Sequence, residues 1–97
     1  MANVYSHTWE KEDEYWRGAF RSRPYCADET TYDDWQPAYR YGFDSAVRHQ
    51  GRPWDDTLER ELETEWNGYS KRNSLEWGWH RVKDAVRDAW NRIKVTK

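Results

Sequence analysis

Aromatic side chains must supply most of the core of this chain, because aliphatic ones are scarce. The 97 residues include eight Trp, seven Tyr and two Phe, while Leu, Ile and Val together number nine. Rings bury large apolar areas, and the polar groups of Tyr and Trp also suit a surface that binds a partner. The sequence therefore predicts a core built from rings, with a surplus of rings left on the surface.

Length and charge predict a single folded domain, residues 1–97. A chain of this size buries about 60–65% of its unfolded surface on folding. Its net charge of −2 lacks the strong self-repulsion that keeps highly charged chains disordered. We expect a domain of modest stability that completes its core by self-association.

The reactive residues predict no catalytic, metal or cofactor site. The single cysteine, Cys26, excludes an internal disulfide, and no Cys and His residues have the spacing of zinc ligands. The acidic pairs at 33–34 and 55–56 could hold a hard cation, but they also fit the first turns of helices, where acids are favourable. We expect capping acids, no metal, no cofactor and no enzymatic activity.

The apolar residues predict no contact with a membrane. No apolar run approaches the roughly 18 residues of a spanning helix. Residues 1–5 lack the basic and apolar regions of a signal peptide. We expect a cytoplasmic protein.

Two helices are predicted in the C-terminal half. Residues 75–94, capped by Asn73 and Glu76, carry apolar residues at three- and four-residue spacing. This stripe consists of Leu75, Trp79, Val82, Val86, Trp90 and Ile93. A preceding helix begins at Pro53 and ends at Gly68 or within residues 70–73, with Trp54, Leu58, Leu62 and Trp66 at four-residue spacing. Residues 53–66 carry a charge of −5 and residues 71–97 a charge of +5, so we expect an αα-hairpin of antiparallel helices with complementary edges.

Two further helices are predicted in the N-terminal half. Residues 9–21 place Trp9, Trp16 and Phe20 on one side, and residues 37–49 or 50 form a helix that stops at Gly51. The inner face of that second helix is predicted to contain Tyr39, Phe43, Ala46 and Val47, and residues 32–35 to form a separate capped turn. Gly42 then marks either a close approach of another helix or a kink. No segment alternates as a strand does, so the predicted fold is an all-α bundle of about four helices with an aromatic-rich core.

Two runs of the sequence resemble a group of short bacterial proteins rich in Trp and Tyr, which have no established activity. They are Pro-Ala-Tyr-Arg-Tyr-Gly at 37–42 and Ala-Val-Arg-Asp-Ala-Trp at 85–90, and the resemblance covers most of residues 12–92. It implies a bacterial origin and a link to general stress physiology. It assigns no functional residue.

Five residues form the predicted partner-binding set. With Tyr39 and Phe43 on the inner face, Tyr41 points outward beside Arg40 and Arg48, and an exposed tyrosine between arginines is a good anchor for a partner. Tyr25 and Trp35 join the set because they lie in loops or on outer faces. The alternative is that another helix of the same chain covers Tyr41.

The residue pattern therefore favours a non-enzymatic interaction or assembly module whose partner is another protein or a second copy of the chain. Binding of single-stranded nucleic acid through Arg40, Tyr41, Arg48 and the basic last helix is an alternative, which a pI near 5.9 disfavours. A small aromatic ligand in a pocket lined by Trp and Tyr is a third alternative.

Overall fold

Four α-helices make up most of the residues that the computed structural model describes, which are 8–26, 29–72 and 78–95. They are α1 (Trp9–Ala19), α2 (Tyr32–Arg48), α3 (Asp56–Arg72) and α4 (Trp79–Val95), and a 3₁₀ turn (Phe20–Ser22) follows α1. These ranges contain no β-strand and no helix that is long and apolar enough to cross a bilayer. The chain folds as a small all-α bundle, as predicted. The predicted cap at Asn73 and Glu76, and Leu75, lie outside the described residues.

Helix α1 begins and ends close to its predicted bounds. The Thr8 hydroxyl accepts a hydrogen bond from the Lys11 N–H at 3.3 Å, which satisfies one of the free donors of the first turn. Trp16 and Phe20 are buried, and Trp9 packs against the core. The sequence did not predict that Glu12 on this helix is also buried, with 1% of its surface exposed.

Helix α2 is a single helix, so the predicted break before Pro37 is wrong. The Thr31 N–H donates to the Asp34 carboxylate at 2.9 Å, and this cap begins a helix that continues through Pro37. Proline inside a helix leaves the carbonyl four residues earlier without its bond. That carbonyl belongs to Asp33, which is exposed in the first turn, where the loss costs least. The helix ends at Arg48, one or two residues before the predicted end, with His49 as its C-cap; Gly51 follows in a turn with a left-handed φ of 87°.

Helices α2 and α4 form the closest pair in the bundle, and Gly42 lies at their contact. A Cβ atom built on Gly42 would come within 2.8 Å of the Ala89 Cβ and closer still to the Val86 carbonyl oxygen. Of the two alternatives for this glycine, the close approach of another helix is therefore correct.

Helix α3 begins three residues later than predicted. The Asp55 carboxylate accepts a hydrogen bond from the Leu58 N–H at 2.9 Å and caps the helix. Pro53 and Trp54 precede the helix, so Trp54 does not belong to its apolar stripe. Its ring packs nevertheless, with its centroid 5.6 Å from that of Trp90.

The acidic residues of α3 pair mainly with the C-terminal end of α2 and the following loop. Glu59 binds Lys83 of α4 at 2.8 Å, as the predicted complementarity of α3 and α4 requires. Glu65, however, binds Arg48 at 2.8 Å, and Glu61 binds Arg52 at 3.0 Å. The connection of the predicted hairpin, residues 73–77, lies outside the described residues.

The core is built from rings, as predicted, but it leaves fewer of them on the surface than the sequence suggested. Nine aromatic side chains are buried: Trp16, Phe20, Tyr32, Trp35, Tyr39, Tyr41, Trp66, Trp79 and Trp90. Among the rings whose burial the structure describes, only Tyr15 is more than a third exposed, at 44%. The side chains that the structure describes therefore offer no general surplus of exposed rings; those of Tyr5, Tyr69 and Trp77 lie outside that description.

Candidate functional site: a groove between α2 and α3

An open groove of about 680 Å³, which we call the α2–α3 groove, lies between these two helices. Residues from both helices line it: Tyr41, Phe43, Asp44, Val47, Arg48, Glu65 and Gly68. Two of the predicted partner-binding residues, Tyr41 and Arg48, belong to this set. Arg40 lies beside it, because its guanidinium binds Asp44 at 3.3 Å.

Tyr41 forms the floor of the groove rather than an exposed anchor. Its surface is only 4% exposed, and its hydroxyl lies 2.9 Å from both the Leu62 carbonyl oxygen and a Glu65 carboxylate oxygen. Burial, followed by the bond to Glu65, raises the pKa of this phenol. The predicted outward orientation is wrong, and the alternative that another helix covers Tyr41 is correct. A base therefore cannot stack on this ring.

Phe43 and Val47 supply the exposed apolar surface of the groove. Val47 is 43% exposed, although it was predicted on the inner face. The inner face of α2 follows Tyr39, Gly42 and Ala46, and Val47 lies one residue, about 100° of helix rotation, beyond Ala46. Phe43 is half-buried, with its ring centroid 5.9 Å from that of Trp9.

Charged side chains of both signs flank this apolar surface. Arg40 pairs with Asp44, and Arg48 pairs with Glu65. The hydrogen bond from Arg48 lowers the pKa of Glu65 below its ordinary value, and the same bond raises the pKa of Arg48. Both shifts favour the charged forms of Glu65 and Arg48, and two acids and two bases thus surround the groove.

The remaining predicted residues, Tyr25 and Trp35, do not border the groove. Trp35 is buried, and its indole N–H donates to the Thr30 hydroxyl at 3.0 Å. Tyr25 is half-buried, and its hydroxyl donates to Asp88 of α4 at 2.6 Å. The predicted position of Trp35 in a loop or on an outer face is wrong, because Trp35 is buried in the first turns of α2. Tyr25 lies in a loop, as predicted, and this loop folds onto α4.

A smaller cleft of about 290 Å³ lies beside Tyr25. Its lining residues are mostly polar: Arg23, Pro24, Tyr25, Asp84, Arg87, Asp88 and Asn91. Arg23 donates two hydrogen bonds to the Asp88 carboxylate, at 2.8 and 3.2 Å. This pairing makes the cleft a weaker candidate than the groove.

One member of each acidic pair caps a helix, as predicted: Asp34 caps α2 and Asp55 caps α3. Within the described ranges, no group of three or more His, Cys, Asp or Glu side chains is arranged to hold a metal ion. The chemistry that the groove offers is thus apolar contact combined with charge pairing. One sequence signal could have found it: Phe43 and Val47 are spaced by four residues, beside Arg40, Asp44 and Arg48 with the same spacing.

No family model, curated protein or solved structure matches this chain. The resemblance to short bacterial proteins linked to stress therefore stays a prediction.

Proposed function

We propose that this protein is a non-enzymatic assembly module of the cytoplasm that forms a homodimer through the α2–α3 groove. The observation that carries the proposal is the pairing of Phe43 and an exposed Val47 with acids and bases in equal number. Exposed apolar surface flanked by polar residues is typical of protein-binding sites.

The charges favour a second copy of the same chain as the partner. In a dimer with twofold symmetry, the same patch contacts itself, so it must be self-complementary. A patch of one sign would repel its copy. The groove instead offers Arg40 and Arg48 as bases and Asp44 and Glu65 as acids, so a twofold rotation can place each base near an acid.

The order of residues along α2 suggests how the two copies meet. If the α2 helices pack antiparallel about an axis near Ser45, Phe43 of one copy lies opposite Val47 of the other. Asp44 of each copy then lies within one helical turn of Arg48 of the other. Apolar contacts at the centre with charge pairs at the edge are the usual arrangement of a protein interface.

Sedimentation velocity over a concentration series tests this proposal. We expect a reversible dimer for the wild type and a monomer for Val47→Glu, since the substitution buries a carboxylate in the interface but leaves the exposed site in the monomer unstrained. Tyr15→Ser is the matched control, because Tyr15 has almost the same exposure and lies outside the groove; it should still dimerise. A wild type that stays monomeric at every concentration, or a Val47→Glu variant that dimerises normally, would refute the proposal.

A second candidate function is the binding of a small aromatic molecule in the same groove. The volume of about 680 Å³ supports it, because ligand pockets commonly measure about 300–1,000 Å³. Tyr41 lines the groove and its ring centroid lies 5.5 Å from that of Trp66, so a ligand bound in the groove should change the tryptophan fluorescence. A response to a metabolite panel that disappears in Val47→Glu, in a protein that remains monomeric, would favour this function over dimerisation.

A further inference from the structure

We propose that Trp16 and Tyr39 form an electron relay that quenches one-electron oxidants, with Asp88 as the acceptor of the proton. This activity lies outside the groove and is independent of the proposed assembly. It rests on the stacking of two rings, on the different surroundings of the Trp16 indole N–H and the Tyr39 hydroxyl, and on a route for the proton that the structure defines.

The two rings are in direct contact. Their planes differ by only 5° and their centroids are 4.4 Å apart, and both side chains are buried. Electron transfer weakens steeply with distance, so stacked rings are the most favourable arrangement for it. Tyr15 connects the pair to solvent, because it is exposed and its ring meets that of Trp16 edge-on at 4.9 Å.

Among the residues that the structure describes, none accepts the indole proton of Trp16. Its Nε1 atom is buried and makes no hydrogen bond to any described residue, although an indole N–H is a donor that usually finds a partner when buried. After loss of an electron, the ring therefore stays a radical cation instead of becoming a neutral radical. The radical cation is the stronger oxidant of the two, and it lies against a phenol.

The phenol of Tyr39, in contrast, has a defined route for its proton. The hydroxyl of Tyr25 donates to Asp88 at 2.6 Å and lies 2.9 Å from the hydroxyl of Tyr39. A phenol carries a single proton, so Tyr25 must accept the hydrogen bond of Tyr39. The three groups form a directed chain from Tyr39 through Tyr25 to Asp88.

The reaction then balances as follows. A one-electron oxidant, such as an oxygen-centred radical, takes one electron from Trp16 and is reduced to its anion. The Trp16 radical cation takes one electron from Tyr39, while the Tyr39 proton moves to Tyr25 and the Tyr25 proton moves to Asp88. The products are neutral Trp16, a Tyr39 phenoxyl radical and a protonated Asp88. An oxidised phenol is a far stronger acid than a resting one, so Asp88 accepts the proton even though Arg23 binds it at 2.8 Å.

A tethered photo-oxidant provides the test. The full chain carries Cys26→Ser, which removes the native thiol, and Lys11→Cys, which places a ruthenium polypyridyl label one helical turn before position 15. It also carries Tyr15→Phe, so that this exposed phenol cannot contribute a radical. After a laser flash, we expect the absorption of the tryptophan radical cation to give way to that of a phenoxyl radical, more slowly in D₂O than in H₂O.

Two variants of this labelled chain separate a relay from a structural contact. Tyr39→Phe keeps the stacked ring and removes only the hydroxyl, and we expect it to lose the fast phenoxyl signal and to prolong the tryptophan radical. Tyr25→Phe keeps the stack but breaks the proton route, and it should lose the D₂O effect. Tyr41→Phe removes a phenol that lies in the groove, and it should change neither the phenoxyl signal nor the D₂O effect. Phenoxyl formation at an unchanged rate in Tyr39→Phe, or the absence of a phenoxyl signal in the parent, would overturn the relay.

Discussion

Gly42 of α2 lies directly against the backbone carbonyl of Val86 in α4. A methyl group at this position would also come within 2.8 Å of the Ala89 Cβ, and neither neighbour can move without shifting α4. We expect Gly42→Ala to lower the free energy of unfolding by about 1–3 kcal/mol, the usual cost of overpacking a core. Urea unfolding followed by circular dichroism measures the change.

Gly18 in α1 provides the control for helix propensity. A Cβ atom there meets nothing within 4 Å, so Gly18→Ala should raise the free energy of unfolding by about 0.5–1 kcal/mol. If both alanine substitutions raised the free energy of unfolding, contact with α4 would not be what excludes a side chain at position 42.

The buried ion pair between Glu12 and Arg92 should stabilise the docking of α1 on α4. The Arg92 Nε lies 2.6 Å from the Glu12 carboxylate, which is almost fully buried. Arg92→Met removes the ion-pair partner at 2.6 Å from a carboxylate that is almost fully buried, so we expect it to cost up to about 3 kcal/mol. Arg40→Met removes an exposed pair with Asp44 and should cost about 0–1 kcal/mol. Equal losses in thermal or urea unfolding would contradict the distinction.

Stability should fall on the alkaline side because the buried phenols resist ionisation. Burial is the main cause that raises the pKa of Tyr39 from 10.0 to about 12, and it also raises the pKa values of Tyr25, Tyr32 and Tyr41. Below pH 10, folded and unfolded chains both hold these protons. Above it, only the unfolded chain releases them, so each phenol lowers the free energy of unfolding by about 1.4 kcal/mol per pH unit until its folded pKa is reached.

Urea titrations between about pH 9 and pH 11 measure this slope. Tyr39→Phe should reduce the slope by the share of one tyrosine, while the fold is retained at neutral pH. A slope that does not depend on Tyr39 would show that this phenol ionises without unfolding.

Complementary charge variants should restore the proposed dimer only when they are mixed. After Asp44→Arg, only bases remain along this edge of α2. After the double substitution Arg40→Glu, Arg48→Glu, only acids remain there. Each variant should therefore repel a second copy of itself. Mixed in equal amounts, they should form a heterodimer that weakens as salt concentration rises. Sedimentation of the mixture distinguishes this result from two monomers, which would contradict the proposed interface.

The single-stripe helices were predictable from sequence because one face of each meets the core. The three- and four-residue spacing located Trp16 and Phe20 on α1, and Trp79, Val82 and Val86 on α4, on the buried sides that the structure shows. The predicted start of α1 at residue 9 agrees with the structure, in which Thr8 caps the helix.

Helix α2 was harder to predict because it is buried on more than one side. Tyr39 and Gly42 face the rest of the bundle, and Tyr41 is covered by α3. A periodic pattern identifies one stripe, so it assigned Tyr41 to solvent and Val47 to the core, in each case wrongly. The groove was therefore found only in part: Arg40, Tyr41 and Arg48 were predicted, but its apolar surface was not.

The short distance between α2 and α4 couples the two aromatic halves of the core. Since Gly42 and Ala89 leave no space for a ring at their contact, the large rings lie beside it, Trp16 with Tyr39 on α1 and α2 and Trp66 with Tyr41 on α3 and α2. Both pairs include one ring of α2, so a change that shifts α2 away from α4 moves one member of each pair. The small residues Gly42 and Ala89 thus fix the position of the helix on which Tyr39 and Tyr41 pack.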